Sequence, residues 1–327
     1  MSRREEVLRI GATVLILAAL VFLFLRDRSA DEPGAEQPEP TVSTPTDAPE
    51  VVEPSDPSPE VPDAPDAPDT VPSPPEGLAE LVCEENRTAV DLRVMSFNTH
   101  RSTGTLDAVA GEILALEPDV VLLQEVDRRM LRSGSVDQAE VLAEAVGMDG
   151  SFSANLVRGT GHYGTLVLSR FDIVQQGRIG LVRGPGAEAR GLQWVTLEVA
   201  GQAIRVYNTH LEATDADVRL AQARQVAGVL AEDELPVVLG GDLNAWPASA
   251  AVATIARELT DTWTASGQGR SATSSGGRKI DYLFVRGMRP LLSQVAPSGV
   301  SDHHRLWADV RLPAPDTCDT ASPGPAG

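Results

Sequence analysis

Between residues 90 and 312 the chain breaks into apolar runs of strand length, and what separates those runs changes midway. The early runs are split by helical stripes. DLRVMSFN is followed by Leu106, Val109, Ala110, Ile113 and Leu114, the spacing of one helix face, which stops at Pro118. DVVLLQE is a short continuous apolar run, the pattern of a strand covered on both faces, and residues 136–146 return to helical spacing. From about Phe152 to Tyr207 the runs FSANLV, GTLVLSR, LQWVTLEV and AIRVYNTH succeed one another across glycine-rich turns. A long helical segment at 216–232, the run PVVLGGD, a short helix near 249–257, and the runs KIDYLFV, LLSQVAP and HRLWADVRL complete the region. Strand meanders mixed with helices predict an α+β fold: two packed mixed sheets with outer helices, a four-layer α/β/β/α sandwich. No internal repeat is evident in the sequence.

The N-terminal part has a different character. IGATVLILAALVFLFL, residues 10–25, is uncharged and follows Arg3, Arg4 and Arg9. It is slightly shorter than the roughly 20 residues of a spanning helix. A cleaved signal peptide has the same charged start and apolar middle, but Arg26, Asp27 and Arg28 follow at once without a clear small-x-small site. The favoured reading is an uncleaved single-pass anchor in the cell membrane, its basic N-terminus cytoplasmic and the rest of the chain extracellular. Residues 27–80 hold 14 of the 24 prolines and 15 acidic residues against Arg28 alone. Such a segment cannot bury enough apolar surface to fold and reads as a stiff, self-repelling tether. The expected organisation is therefore an anchor at 1–26, a disordered tether at 27–80, a folded domain at 81–318 and a disordered tail at 319–327. Most of the net charge of −20 lies in the tether. The chain lacks the basic footprint of a duplex binder, which disfavours nucleic acid as a partner. The domain is expected to be a monomer. Its two cysteines, Cys83 and Cys318, flank it; outside the cell they can form a disulfide tying its ends together, with two unrelated thiols as the alternative.

Polar residues recur where the runs end. SFN ends on Asn98, VVLLQE on Glu125, VYNTH on Asn208 and His210, and VVLGGDLN on Asp242 and Asn244; Asp281 interrupts KIDYLFV, and Asp302 and His303 precede the last run. A polar strand end alone is usually a solvated turn. Glu125 and Asp242 are less ordinary, because each closes a wholly apolar run, where a charge must be paired or bind a metal. Carboxylates, amides and two imidazoles together are the inventory for hydrolysing a phosphate ester with a magnesium-like ion.

The ordered set Asn98, Gln124–Glu125, YGT at Tyr163–Thr165, NTH at Asn208–His210, GDLN at Gly241–Asn244, IDY at Ile280–Tyr282 and SDH at Ser301–His303 resembles the endonuclease/exonuclease/phosphatase superfamily over about residues 90–312. The resemblance implies a metal-dependent phosphoric ester hydrolase using Mg2+ (or Mn2+). It implies Glu125 as the main metal ligand with Asn98 beside it and Asp302 as a further metal-site acid. Asp242 and Asn244 would orient water and phosphate, or serve a second metal. His303 would contact the phosphate and help activate water, with Asp281 fixing its tautomer, and His210 would serve the developing charge or the leaving group. Tyr163 and Asn208 fall on motif positions expected to touch substrate. His100 and Arg101 are expected to line the mouth, with a solvated loop as the alternative. Arg190, before LQWVTLEV, is a candidate phosphate-binding residue, though a surface arginine reads equally well. His162 stands where some nucleases place an acid, which leaves the partner of His210 open, and His304 is expected to begin the strand rather than to touch substrate. Asp127, two residues after Glu125, would repel a nucleic-acid backbone.

The expected substrate is a small or lipid-linked phosphodiester or phosphomonoester. One alternative is an extracellular nuclease, which a basic stripe at Arg101, Arg128, Arg129 and Arg132 would support. The other is a non-catalytic binding module on the same scaffold.

Overall fold

The computed structural model describes residues 81–83, 88–102, 105–314 and 318–320. The expected anchor and tether, and the tail beyond Thr320, lie outside them. Among the described residues no helix is long and apolar enough to cross a membrane.

The strands are β1 (Leu81–Cys83), β2 (Val90–Asn98), β3 (Val120–Arg128), β4 (Asp149–Arg158), β5 (Gly161–Ser169), β6 (Ile173–Gly180), β7 (Gly191–Val199), β8 (Gln202–His210), β9 (Val237–Asp242), β10 (Thr260–Asp261), β11 (Asp281–Arg286), β12 (Arg289–Ala296), β13 (Arg305–Leu312) and β14 (Cys318–Thr320). The helices are α1 (Leu106–Leu114), α2 (Gln138–Val146), α3 (Ala216–Glu232), α4 (Ala250–Ile255) and α5 (Thr262–Ser266). Two six-stranded sheets form, in the orders β12-β13-β2-β3-β5-β4 and β10-β11-β9-β8-β7-β6. Each has one parallel pair at its centre, β2 with β3 and β8 with β9, and every other pairing is antiparallel. A parallel pair needs a crossover, and α1 and α3 supply the two.

Three apolar clusters separate four layers. Leu92, Val94, Val120 and Leu122 of one sheet meet Val195, Val206, Val238 and Leu283 of the other. Val109, Ile113 and Leu142 of α1 and α2 cover the outer face of the first sheet against Phe97, Val121 and Leu168. Val226 and Leu230 of α3 and Ile255 of α4 cover the second against Tyr207, Leu239 and Phe284. The expected sandwich is the observed one.

Side-chain caps fix three of the helix starts. Asp137 caps α2 by accepting from Glu140 N, Asp215 caps α3, and Ser249 caps α4. Helix α2 therefore starts after Asp137, two residues later than the apolar spacing predicts. Strand β6 is absent from the sequence-based reading. It is an edge strand with mostly exposed positions and two glycines, so it lacks the apolar alternation that signals a strand. The two-stranded pair β1–β14 sets Cys83 opposite Cys318 in antiparallel register. Strand β14 runs to Thr320, two residues past the expected end of the domain.

Candidate active site

The inner faces of the two sheets carry apolar residues for most of their length and polar residues at one end. On β2 the inward row is Leu92, Val94, Ser96, Asn98; on β8 it is Ile204, Val206, Asn208, His210; on β9 it is Val238, Gly240, Asp242. Strand β11 runs the opposite way to β9, so its first residue, Asp281, lies opposite Asp242. The candidate site is thus the inter-sheet core continued into polar side chains. Both parallel pairs point their C-terminal ends at it. Asn98, Asn208, His210, Asp242 and Asp281 are all buried.

Glu125 departs from strand parity and needs a backbone device. The β3–β5 register shifts between Leu123 and Val126, so Gln124 and Glu125 together face the single position of Thr165. Glu125 has φ 60°, a left-handed conformation uncommon for a non-glycine residue. A bulge of this kind re-aims a side chain. Here it turns Glu125 toward Asn98, whose Nδ2 donates to Glu125 Oε1 (3.4 Å) and to Asp242 Oδ2 (3.1 Å). The Asn98 amide is held the right way round, because its Oδ1 accepts from His100 N at 3.0 Å. It offers Glu125 a donor, not a ligand oxygen. The expected metal ligand Asn98 is in this geometry an aligner of two carboxylates. Glu125 Oε2 is buried, accepts no hydrogen bond, and lies 3.4 Å from Arg101 Nε in an ion pair.

Across from this pair, His303 Nδ1 is 2.9 Å from Asp281 Oδ2 and 3.1 Å from Asp281 Oδ1. Its Nε2 is 3.6 Å from Asp242 Oδ2, and His210 Nε2 approaches the same oxygen at 3.5 Å. Asp242 Oδ1 accepts from Asn244 N (2.8 Å), a turn that requires φ 48° at Asn244, whose Nδ2 donates to Leu211 O (3.1 Å). Gly241 permits the close packing there, since a Cβ on it would lie 2.0 Å from Thr209 O. The carboxylate nearest His210 Nε2 among these contacts is thus Asp242, at 3.5 Å. His162 is displaced from this region, opposite Arg128 and Val157 on β5.

Three groups near one another settle their charges jointly. Burial, then the like charge of Asp281, pushes Asp242 up to about 7. Burial alone would lower His303, but the charge and hydrogen bond of Asp281, with Asp242 and Asp302 behind, outweigh it and raise the imidazole to about 9. Burial, then the charges of Arg190, His303 and Arg101, hold His210 well below its ordinary value.

Other expected site residues are placed less uniformly. Asp302 is half exposed, and His100 Nδ1 lies 3.3 Å from its Oδ1, so the two face each other at the mouth. Residues His100, Arg101 and Ser102 all have positive φ, which folds this segment back over the site. Tyr163 is buried, with the Arg132 guanidinium 5.0 Å from its ring centre; burial, then the Glu125 charge, raises its hydroxyl. Asn208, expected to touch substrate, is fully buried and spans the sheets: Gln124 Nε2 donates to its Oδ1 (2.8 Å), while its Nδ2 donates to Leu123 O (2.9 Å) and Leu166 O (3.1 Å). His304 accepts from Ser298 N through Nδ1 and donates its own N–H to Thr273 O, a loop-holding role.

Two residues that pattern reasoning passed over hold the acid–imidazole pair in place. Thr273 Oγ1 accepts from Ile280 N and Asp281 N, each at 3.0 Å. Ser301 Oγ donates to Asn98 O (2.8 Å) and accepts from His303 N (3.1 Å), linking the first and last motifs. The serine lay in the SDH stretch; nothing in sequence marked Thr273. The arginines of the expected basic stripe are each committed to an acid: Arg101 to Glu125, Arg128 and Arg129 to Asp137, and Arg132 to Asp127 through two hydrogen bonds.

The profile of the Endonuclease/Exonuclease/phosphatase family matches residues 95–303, from just before Asn98 to His303. The chain belongs to that family. Protein YbhP of Escherichia coli (strain K12) is 26% identical over 245 residues, 67% of this chain and 96% of its own. A family member from Beutenbergia cavernae is similar in structure, with TM-score 0.60 and 28% identity over 68% of this chain and 72% of that one. A mannosyl-6-phosphatase of Bacteroides thetaiotaomicron shares the fold at TM-score 0.55 and 17% identity, over 67% and 99% of the two chains. Family membership makes phosphoester hydrolysis the activity at family level, and a divalent metal its usual requirement.

Proposed function

We propose that this chain is a membrane-tethered, exported, metal-dependent phosphoesterase acting on a small or lipid-linked phosphate ester. The observation that carries the chemistry is the Asp281–His303–Asp242 line of contacts facing Glu125 through Asn98. Asp281 occupies His303 Nδ1, so Nε2 is the nitrogen left to meet a phosphoryl group. Asp242 and Asn244 stand where an attacking water can be oriented. Water adds to phosphorus as the bond to the ester oxygen breaks; Asp242 takes the proton of the water, the charged His303 ring holds a phosphoryl oxygen, and the ester oxygen departs beside His210 and takes its proton from solvent.

The donor set fits a hard divalent cation. Glu125 Oε2 is a buried carboxylate oxygen with no hydrogen bond, and the nearby oxygen ligands are carboxylates. Asp242, Asp281 and His303 also offer three donor atoms within 4.8 Å of one another. Those three are already engaged with each other and with Asn244, so Glu125 is the assigned principal ligand, with Asp302 at the mouth as the second acid. When bound, such an ion polarises the phosphoryl oxygens and steadies the leaving oxygen.

The arginine ion pairs favour a small or lipid-linked ester over nucleic acid. A backbone of phosphates needs cations with charge to spare, and here Arg132 is matched by Asp127 while Arg128 and Arg129 share Asp137, which leaves these three arginines one net charge. Export and tethering rest on the sequence of residues 1–80. The deciding experiment is a substrate panel of nucleic acids, phospholipids and inositol phosphates with magnesium and manganese. Turnover confined to DNA or RNA refutes the substrate assignment, and no turnover on any member refutes the enzyme.

A further inference from the structure

Arg190 is a buried cation that the scheme above leaves idle. It directly precedes β7, at a point tied to the His210 strand by the bond from Thr209 Oγ1 to Gly191 O. The residue is 6% exposed. Its Nη1 lies 2.9 Å from Glu188 Oε1, an ion pair without hydrogen-bond geometry, and neither Nε nor Nη1 finds a hydrogen-bond acceptor. A guanidinium is a rigid fork of five donors suited to a tetrahedral oxyanion. Leaving its buried donors unmatched costs free energy that such a ligand would recover. The guanidinium also lies near the candidate site. Its charge is felt by His210, by Tyr163 of the opposite sheet and by Glu212, so it sits where the polar ends of the sheets converge.

We propose that Arg190, moderated by Glu188, grips the non-bridging oxygens of a dianionic phosphoryl group and so makes the site prefer phosphomonoesters to phosphodiesters. This deepens the phosphoesterase reading and rests on it. A diester carries one charge and has two of its four oxygens blocked by carbon. A monoester dianion has three unblocked oxygens and two charges, enough to engage the Arg190 fork and the catalytic histidines together. Glu188 is half exposed and tempers the guanidinium charge, so it sets how tightly a dianion is held.

The test uses the full chain with magnesium, inorganic phosphate as the probe, and calorimetry as the readout. Arg190→Gln should weaken phosphate binding roughly tenfold or more, the size of one charge-assisted hydrogen bond. Arg190→Lys keeps the charge but not the fork and should fall between. Glu188→Gln should tighten binding, a direction that a merely structural ion pair does not give. In parallel, Arg190→Gln should lower kcat/KM for 4-nitrophenyl phosphate more than for bis(4-nitrophenyl) phosphate. Absent phosphate binding by the native chain, native-like binding by a folded Arg190→Gln chain, equal loss on both esters, or weaker binding after Glu188→Gln overturns the proposal. If Arg190→Gln does not fold, Arg190→Lys and Glu188→Gln decide it. A native chain that binds phosphate through Arg190 but hydrolyses neither ester refutes the enzyme while leaving the anion site standing.

Discussion

Asp281 and His303 give the sharpest test of the catalytic assignment, because the geometry makes them one device. Asp281 is wholly buried, and both its oxygens lie within 3.1 Å of His303 Nδ1. Asp281→Asn nearly preserves the shape but removes the charge that orients the ring. His303→Ala removes the ring itself. Each should lower kcat by on the order of 10²–10⁴-fold, the range for a positioned acid–base group. If the two acted independently, the double variant would lose the product, on the order of 10⁴–10⁸-fold. Acting as a unit, it should be only a few-fold worse than His303→Ala. The gap between these outcomes is about 3–5 kcal/mol of coupling, well beyond assay error. The assay is kcat on 4-nitrophenyl phosphate and its diester at saturating magnesium, with Tm confirming that each variant is folded. Multiplicative losses would break the pairing. A folded, fully active His303→Ala chain would remove the catalytic reading altogether.

Three further outcomes are expected. Glu125→Gln should abolish the rise in Tm that magnesium gives the native chain and should collapse turnover; activity at ordinary magnesium levels would sink the ligand assignment. Asn208→Leu should remove the three inter-sheet bonds, from Gln124 Nε2 and to the carbonyls of Leu123 and Leu166, costing about 2–4 kcal/mol and lowering Tm by roughly 4–16 °C; an unchanged Tm would show that the inter-sheet clamp is dispensable. Purified, unreduced and denatured protein should show no reactive thiols if Cys83 and Cys318 are bridged across the β1–β14 pair, and two reactive thiols would rule the bridge out.

The core strands are legible because their covered faces leave a plain pattern of short apolar runs, and the polar cluster at their ends because polar residues break those runs there. Edge strand β6 is not, since a strand with one exposed side and two glycines has no pattern to read. The inward row of β8 shows the limit at the site itself. Asn208 and His210 both end an apolar run in one motif, yet Asn208 spends all its hydrogen-bonding groups on the opposite sheet while His210 stays beside Asp242. Sequence gives the row; only packing tells which member of the row is roofed over. Glu125 is the converse case. By parity it would turn outward, and the extra residue that turns it inward is visible only in the strand register. Arg190 and Glu188 likewise meet in space in a way that their loop does not announce.

The parallel pairs at the heart of the two sheets have a consequence for how activity is acquired. Asn98 and Glu125 belong to one sheet, Asp242, Asp281 and His210 to the other, and short contacts stitch the polar ends together: Asn98 Nδ2 to Asp242, Gln124 to Asn208, Asn208 to the carbonyls of Leu123 and Leu166, and His303 to Asp281. Either sheet folded alone owns half a reaction centre. Turnover therefore reports the closing of the sandwich itself: during refolding, the return of hydrolysis should lag the return of secondary structure and coincide with the burial of Leu122 against Val238 and Leu283.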